Sequence, residues 1–590
     1  MRFKRRTLGI AGVAVGAALL LSACTGGGDT GGTSSNGGGA SGSTAGFNAA
    51  VDAVVNPSTK TGGTLKLLSA NDCDSWDPAR TYYGWCLNMQ RVMTRTLVNY
   101  SKVNGTKFTL APDLATDMGT HNDDFTEWTY TLQDGLKYSD GEAIKAQDIK
   151  YAIERMYAQD VINGGPTFYF TEILKAPKSY KGPYNGGGEL PDTAVKVDGN
   201  KITFFLSKPF ADFNYLLALP TSAPVPKAKD TGAKYTLAPV SSGPYEIKQY
   251  TPQKSISFVR NKNWDQATDK IRKPLADEID LTINSNTEDI DNQLAAGQAD
   301  ARMEVAVGPA FRSKIYTDDA LKAQADDPGG PTTRYYSIAS SVKPFDNVAC
   351  RRAVFYALNK AAALQIAGGS AAGAVAQSAT PPGIPGYDPS YDPYPNGKDH
   401  TGDVAAAKKE LVKCGQPNGF STKFAYSTPD ATNGKAFQNV KDSLARVGIK
   451  VTAATTSAEN YYSTFIGSPS NVKKQGLGIM AAGWGADFPT MYGFYQNIVN
   501  GSTIRDPGTS NYASIDDPTV NKILDDTGTP TTQELGVQLN KALMETAQFL
   551  PTRFDKTLWF RNKRLTNVTA NNALGFGAYD VVNVGVSDGK

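Results

Sequence analysis

The sequence predicts a mixed α/β protein of several lobes behind a flexible N-terminal leash. Three observations carry that prediction. Strand-like alternation and helical periodicity take turns along the whole body. The 590 residues, 40% hydrophobic and 20% charged, are more chain than one core organises. The stretch GAALLLSACTGGGDTGGTSSNGGGASGSTAG, Gly16 to Gly46, joins an oily run to a Gly/Ser/Thr run through a single cysteine, Cys24.

The N-terminus comes first. Arg2, Lys4, Arg5 and Arg6 precede an apolar run from Leu8 to Leu21, and small residues close it. That is the order of a secretory signal peptide, read here as residues 1–23. The run is shorter than the roughly 20 residues a membrane span needs. A buried N-terminal helix is the alternative, but the run that follows gives it nothing to pack against. Arg5-Arg6 match a twin-arginine signal only loosely, so the export route stays open. Leu21-Ser22-Ala23-Cys24 resembles the lipobox of bacterial lipoproteins, which implies cleavage before Cys24 and a diacylglycerol on its sulfur. Each buried methylene of such chains adds roughly 0.8 kcal/mol of membrane affinity. Residues 24–60 are read as lipidated cysteine and tether, because Gly, Ser and Thr bury too little apolar surface to fold.

Composition narrows the chemistry. Net charge is +3, from 60 basic and 57 acidic residues, without a basic stripe, so no nucleic-acid partner is expected. With Cys24 set aside, Cys73, Cys86, Cys350 and Cys414 form an even set, which in an exported chain reads as two disulfides. Three pairings are possible; nearness in sequence favours Cys73–Cys86 and Cys350–Cys414, and four free thiols remain the alternative. Only His121 and His400 are available, both in polar, loop-like settings. C-x-x-C, H-E-x-x-H, G-x-S-x-G and phosphate-loop motifs are all missing. The expectation is a binder rather than an enzyme, with neither metal nor cofactor.

Along the body, Gly62–Ala70, EWTYTLQDG, KITFFLSKPF, SISFVRN and ADEIDLTIN alternate as strands do. AQDIKYAIERMYA places Ile149, Ile153 and Met156 on one helical face. NVACRRAVFYALNKAAALQIAG reads as one long amphipathic helix, capped by Asn347 and stopped by Gly368. GKAFQNVKDSLARVGIKVTA reads as helix, Gly448 stop and strand, and ELGVQLNKALMETAQFL as another helix. KSYKGPYNGGGELPD and TPPGIPGYDPSYDPYPNGKDH are loops; one as long as the second tends to be functional or interface-forming.

Five blocks resemble one family, the extracytoplasmic solute-binding proteins of peptide and nickel ABC importers (solute-binding family 5). They are Leu110–Met156, SSGPYEIKQY, VRNKNWDQ, PFDNVACRRAVFYALNK and GWGADFPTMYGFY. The resemblance implies a periplasmic-binding-protein-like fold of class II type, with two cleft-forming lobes and an extra third lobe. Lobe I would comprise residues 61–96, 205–322 and 546–590, the decorating lobe II 97–204, and lobe III 323–545. It further implies a monomer at the outer face of the bacterial cytoplasmic membrane. That monomer would capture oligopeptides in the interlobe cleft and pass them to the transmembrane subunits of an ABC permease.

In peptide-binding relatives the aspartate of the W-x-x-D motif takes the ligand's α-ammonium group, and Asp487 matches it. A buried carboxylate needs such a partner. A helix-capping role before Phe488-Pro489 and an internal salt bridge are the other readings of Asp487. At the neighbouring subsite Thr490 and Met491 depart from the Pro-Asp continuation common in relatives. Trp484, Phe488 and Tyr492 are candidates for the pocket wall or for plain core. Tyr335 and Tyr336 lie on the strand entering the far lobe, where alternation turns only one to the cleft. Ser69, Trp76 and Tyr83 border it after the first strand. Relatives that take oligosaccharides, opines or metal complexes supply the alternative solutes, and a peptide-sensing receptor the alternative role. Asp487 favours peptides, since a sugar brings no cation.

Overall fold

Leu65 and Leu67 turn their side chains into a core from the strand Thr64–Ser69. That strand lies inside a five-stranded mixed sheet ordered Ala301–Arg302, Thr64–Ser69, Glu278–Ile283, Ser255–Arg260, Tyr245–Thr251. It runs parallel to both neighbours, whereas the remaining pairs are antiparallel. The computed structural model describes residues 46–103, 107–184, 186–304, 306–429, 431–570 and 579–589. The expected signal peptide and Cys24 lie outside them.

A second core forms on the antiparallel sheet Thr120–His121, Glu127–Thr131, Lys201–Phe205, Val195–Asp198. Trp128 and Tyr130 alternate inward, and the helix Ala146–Arg155 buries Ile149 and Ile153 against them. The third and largest core surrounds a six-stranded sheet ordered Gly373–Val375, Phe549–Lys556, Gly329–Ile338, Ile479–Gly485, Ser421–Thr428, Lys450–Ser457. Ser421–Thr428 and Lys450–Ser457 pair in parallel and are joined by the helix Ala431–Ala445; the helix and the strand after it are those the sequence predicts, and the strand before it completes a βαβ unit. Gly448 ends it with a φ of 84°. Among the described residues no helix is long and apolar enough to cross a membrane.

Three expectations need correction. The tether does not reach residue 60: Ala49–Asp52 is helical, and Ala50 and Val55 are buried, because these apolar residues find the surface around Val568 and Ala570. The strand Phe549–Lys556 pairs with Gly329–Ile338 in the third lobe's sheet, so the segment 546–590 is divided between lobes. The long helix is two, Val348–Ala357 and Lys360–Ala367. Leu358 is extended, and the Asn359 side chain accepts from Ala362 N to start the second helix, the backbone competition typical of asparagine.

Both favoured disulfides are present, Cys73–Cys86 and Cys350–Cys414. On the loop-entropy account they stabilise by about 3 and about 4 kcal/mol. The chain passes between first and third lobes where Ala325–Asp326 pairs with Trp559–Phe560. Asp326 fastens that crossing, accepting from Ala50 N, Arg561 Nε and the Tyr579 hydroxyl.

Candidate ligand-binding cleft

The strand Ile479–Gly485 ends at Gly485, and Ala486, Asp487 and Phe488 line a cleft. Thr490 caps the helix that follows, Met491–Val499, by accepting from Gly493 N at 3.0 Å. Asp487 therefore does not cap it. Instead its carboxylate stands where three lobes meet. The Tyr82 hydroxyl, from the first lobe, donates to Oδ2 at 2.9 Å, and the Tyr169 hydroxyl, from the second, at 2.6 Å. Asn497 Nδ2 donates in turn to the Tyr169 oxygen at 3.2 Å. Asp487 makes no ion pair among the described residues, which removes the internal salt-bridge reading. Burial raises its pKa to about 6, against the two phenol hydrogen bonds that favour ionisation. The same burial and the Asp487 charge hold the Tyr82 and Tyr169 hydroxyls far above their usual range.

The loop carrying Tyr82 is built to hold it. Cys73–Cys86 closes that loop, and inside it Asp74 accepts from Tyr82 N at 2.6 Å and Thr81 Oγ1 at 3.0 Å. The helix Gly84–Met93 then lines the cleft with Gly84, Leu87, Asn88 and Arg91, residues at helical spacing. The cleft holds about 90 Å³ of space and is partly open to solvent.

The sequence candidates fall in different places. Asp487 and Phe488 line the cleft. Phe488 is buried and stacks on Tyr215, with Tyr169 edge-on, so it also plugs the second lobe's core. Tyr492 packs edge-on against Phe210 beside it. Trp484 is half-buried, and its Nε1 finds no acceptor among the described residues. Tyr83 is 56% exposed next to Tyr82. Trp484, Tyr492 and Tyr83 are not among the residues lining the cleft, nor are the other four candidates. Trp76 is fully buried, edge-on to Tyr250 and Phe258. Ser69 is buried, with its hydroxyl donating to Asn71 O at 2.8 Å. The third lobe's sheet is covered on both faces, so Tyr335 stacks on Phe549 and Tyr336 meets Phe424, and neither reaches the cleft lining.

Sequence reasoning missed Tyr82, Tyr169 and the helix Gly84–Met93. The periodicity of GWCLNMQRVM was the available signal for the helix. Among the described residues no group of three or more His, Cys, Asp or Glu is placed to hold a metal.

A sequence model described as bacterial extracellular solute-binding proteins, family 5, matches residues 109–506, more than half the chain. The chain belongs to this family. The family 5 protein superimposes on the solved structure of "Clavulanic acid biosynthesis oligopeptide binding protein 2" with a TM-score of 0.87 and 39% identity, covering 92% of this chain and 99% of that one. It is 27% identical over 433 residues to the glutathione-binding protein GsiB of Escherichia coli O6:K15:H31 (strain 536 / UPEC), covering 72% of this chain and 73% of GsiB. The unliganded open form of the murein tripeptide binding protein MppA shares its fold, with a TM-score of 0.70 at 19% identity over 90% of this chain and 99% of MppA. The family 5 relatives are solute-binding proteins, and members of the family are extracytoplasmic.

Proposed function

We propose that this protein captures short peptides by their free amino terminus in the interlobe cleft and delivers them to the transmembrane subunits of an ABC permease. One observation carries the reading. Asp487 is a carboxylate with two phenol donors and, among the described residues, no cation, set between three lobes. Both phenols donate to Oδ2, so a peptide ammonium entering there adds a charge-assisted pair to the carboxylate that joins the three lobes. The names of similar proteins, an oligopeptide binding protein and a glutathione-binding protein, support a peptide ligand. Native mass spectrometry of the protein purified from its host tests this. Bound masses that fragment into short peptides are expected; sugars or metal complexes in their place would contradict the reading.

The lobes close around the strand pair Ala325–Asp326 and Trp559–Phe560, so ligand should reduce the radius of gyration measured by X-ray scattering. An unchanged radius at saturation would count against closure. Cys24 carries the lipid that moors the protein to the outer face of the cytoplasmic membrane. A Cys24→Ala variant should be released into the medium with its peptide affinity intact, and retention on membranes after a high-salt wash would refute the mooring.

The raised pKa of Asp487 gives binding a pH dependence. An ammonium ligand needs the ionised carboxylate, so affinity is full above about pH 6 and falls about tenfold per unit below it. The ligand-free fold moves the other way. A folded-state pKa raised from 3.8 to about 6 contributes stability that is fully present below pH 3.8 and lost as pH rises through 6. Calorimetric titrations between pH 4.5 and 8 should show the affinity loss; a flat profile would mean that no carboxylate of raised pKa holds the ligand.

A further inference from the structure

Outside the cleft, a loop of the third lobe is hydrogen-bonded to the second. The loop, DTGTPTT from Asp526 to Thr532, joins the helices Pro518–Asp525 and Gln533–Thr546. It meets Pro209–Asp212, the segment that leads into the second lobe's helix Phe213–Leu217. Ala211 N donates to Thr527 O at 2.7 Å. The Thr527 hydroxyl donates to Pro209 O, and the Thr531 hydroxyl donates to Asp212 Oδ2 at 2.6 Å. In the same seam Tyr492 packs edge-on against Phe210, a member of the second lobe's core, with ring centroids 4.8 Å apart. The two hydroxyl bonds join residues 318 and 319 positions apart, so no local structure dictates them. None of these residues lines the cleft.

Gly528 shows how closely the seam is fitted. A Cβ at this position would come 2.9 Å from Pro209 Cβ, well inside the roughly 3.5–4.0 Å at which carbon atoms pack. Gly528 does not have a positive φ. The close approach of Pro209, and not the backbone conformation, is what calls for glycine here.

We propose that this seam is a closure latch, which holds a share of the ligand-free molecules closed and must part before a ligand can enter. Every group in it belongs to the protein, so it favours the closed arrangement whether or not the cleft is filled. A net hydrogen bond of this kind shifts an equilibrium by about two- to tenfold. Three of them, with the Tyr492–Phe210 contact, move the ratio of closed to open molecules by about tenfold or more. Affinity scales with the share of molecules in the competent, closed form, whereas entry uses the open share. Loosening the latch therefore weakens binding while it speeds association. Loss of a ligand contact acts differently, mainly by speeding dissociation.

X-ray scattering of the full protein, freed of co-purified ligand by dialysis from guanidinium, tests the latch with two variants. Gly528→Val drives a branched side chain against Pro209 and should enlarge the radius of gyration. Pro209→Cys with Gly528→Cys, once oxidised, staples the seam and should give the smallest radius, with the native protein between the two or level with the staple. Should Gly528→Val fail to fold, Thr531→Val removes one latch bond without added bulk and should enlarge the radius in the same direction by less. A native protein with the radius of these loosened variants, whether all are compact or all expanded, would overturn the latch. So would a double-cysteine protein that does not crosslink. Neither radius depends on what the cleft binds, so the result stands apart from the peptide reading.

Discussion

Replacing Asp487 by asparagine should weaken the binding of a free-amino peptide by about 2–5 kcal/mol, the usual cost of removing one partner of a buried charged pair. That is a loss of roughly thirty- to several-thousand-fold. The substitution keeps the shape of the side chain and leaves an amide oxygen to accept from Tyr82 and Tyr169, so the three-lobe junction survives. It also removes a carboxylate whose ionisation burial opposes. Ligand-free stability at neutral pH should therefore hold or rise while affinity collapses. Thermal melts beside the titrations separate this outcome from a folding defect, in which both quantities would fall together.

The second large effect is on stability and lies at Arg155. Its side chain is fully buried between the first two lobes. Nη1 and Nη2 grip the two oxygens of Asp77 at 3.0 and 2.6 Å, and Nε donates to Asp230 at 3.1 Å. The guanidinium also lies 5.0 Å over the Tyr235 ring. In Arg155→Met the apolar volume stays, but Asp77 and Asp230 are left buried without their cation. Breaking a buried pair in this way costs about 3–5 kcal/mol. Urea unfolding should show a lower midpoint with an unchanged slope. Arg155→Met with Asp77→Asn should recover part of the loss, because one stranded charge is then gone. A loss under about 1 kcal/mol would mean that water reaches this pair and that the first two lobes are joined by other contacts.

How far the sequence could be read depended on whether the signal was local. Period-two alternation in Thr64–Ser69 and Glu127–Thr131, and the helix–glycine–strand run around Gly448, place real elements, because burial of one face is written into neighbouring residues. The break at Leu358–Asn359 was hidden because neither Gly nor Pro interrupts the apolar pattern, and the cap is made by an asparagine that also occurs inside helices. Tyr335 and Tyr336 look like cleft residues on a strand with one open face; helices and strands on both sides of the sheet leave no such face. Asp487 stood out as a lone carboxylate, but its partner Tyr169 lies 318 residues away in another lobe, and no local pattern links the two. Tyr82 was one residue from a candidate, and only the pinned backbone of the Asp74 loop decides which of the two tyrosines turns inward.

Titrating the native protein and Asp487→Asn with one peptide in free and N-acetylated form shows whether Asp487 holds a ligand's α-ammonium group. The native protein should bind the acetylated peptide poorly, since acetylation removes the cation and leaves the carboxylate unmatched. Asp487→Asn should discriminate far less between the two, giving a coupling of about 2 kcal/mol or more between the side chain and the amino terminus. Additive effects, with coupling below about 0.5 kcal/mol, would contradict the claim and move a ligand without a cation ahead of a peptide.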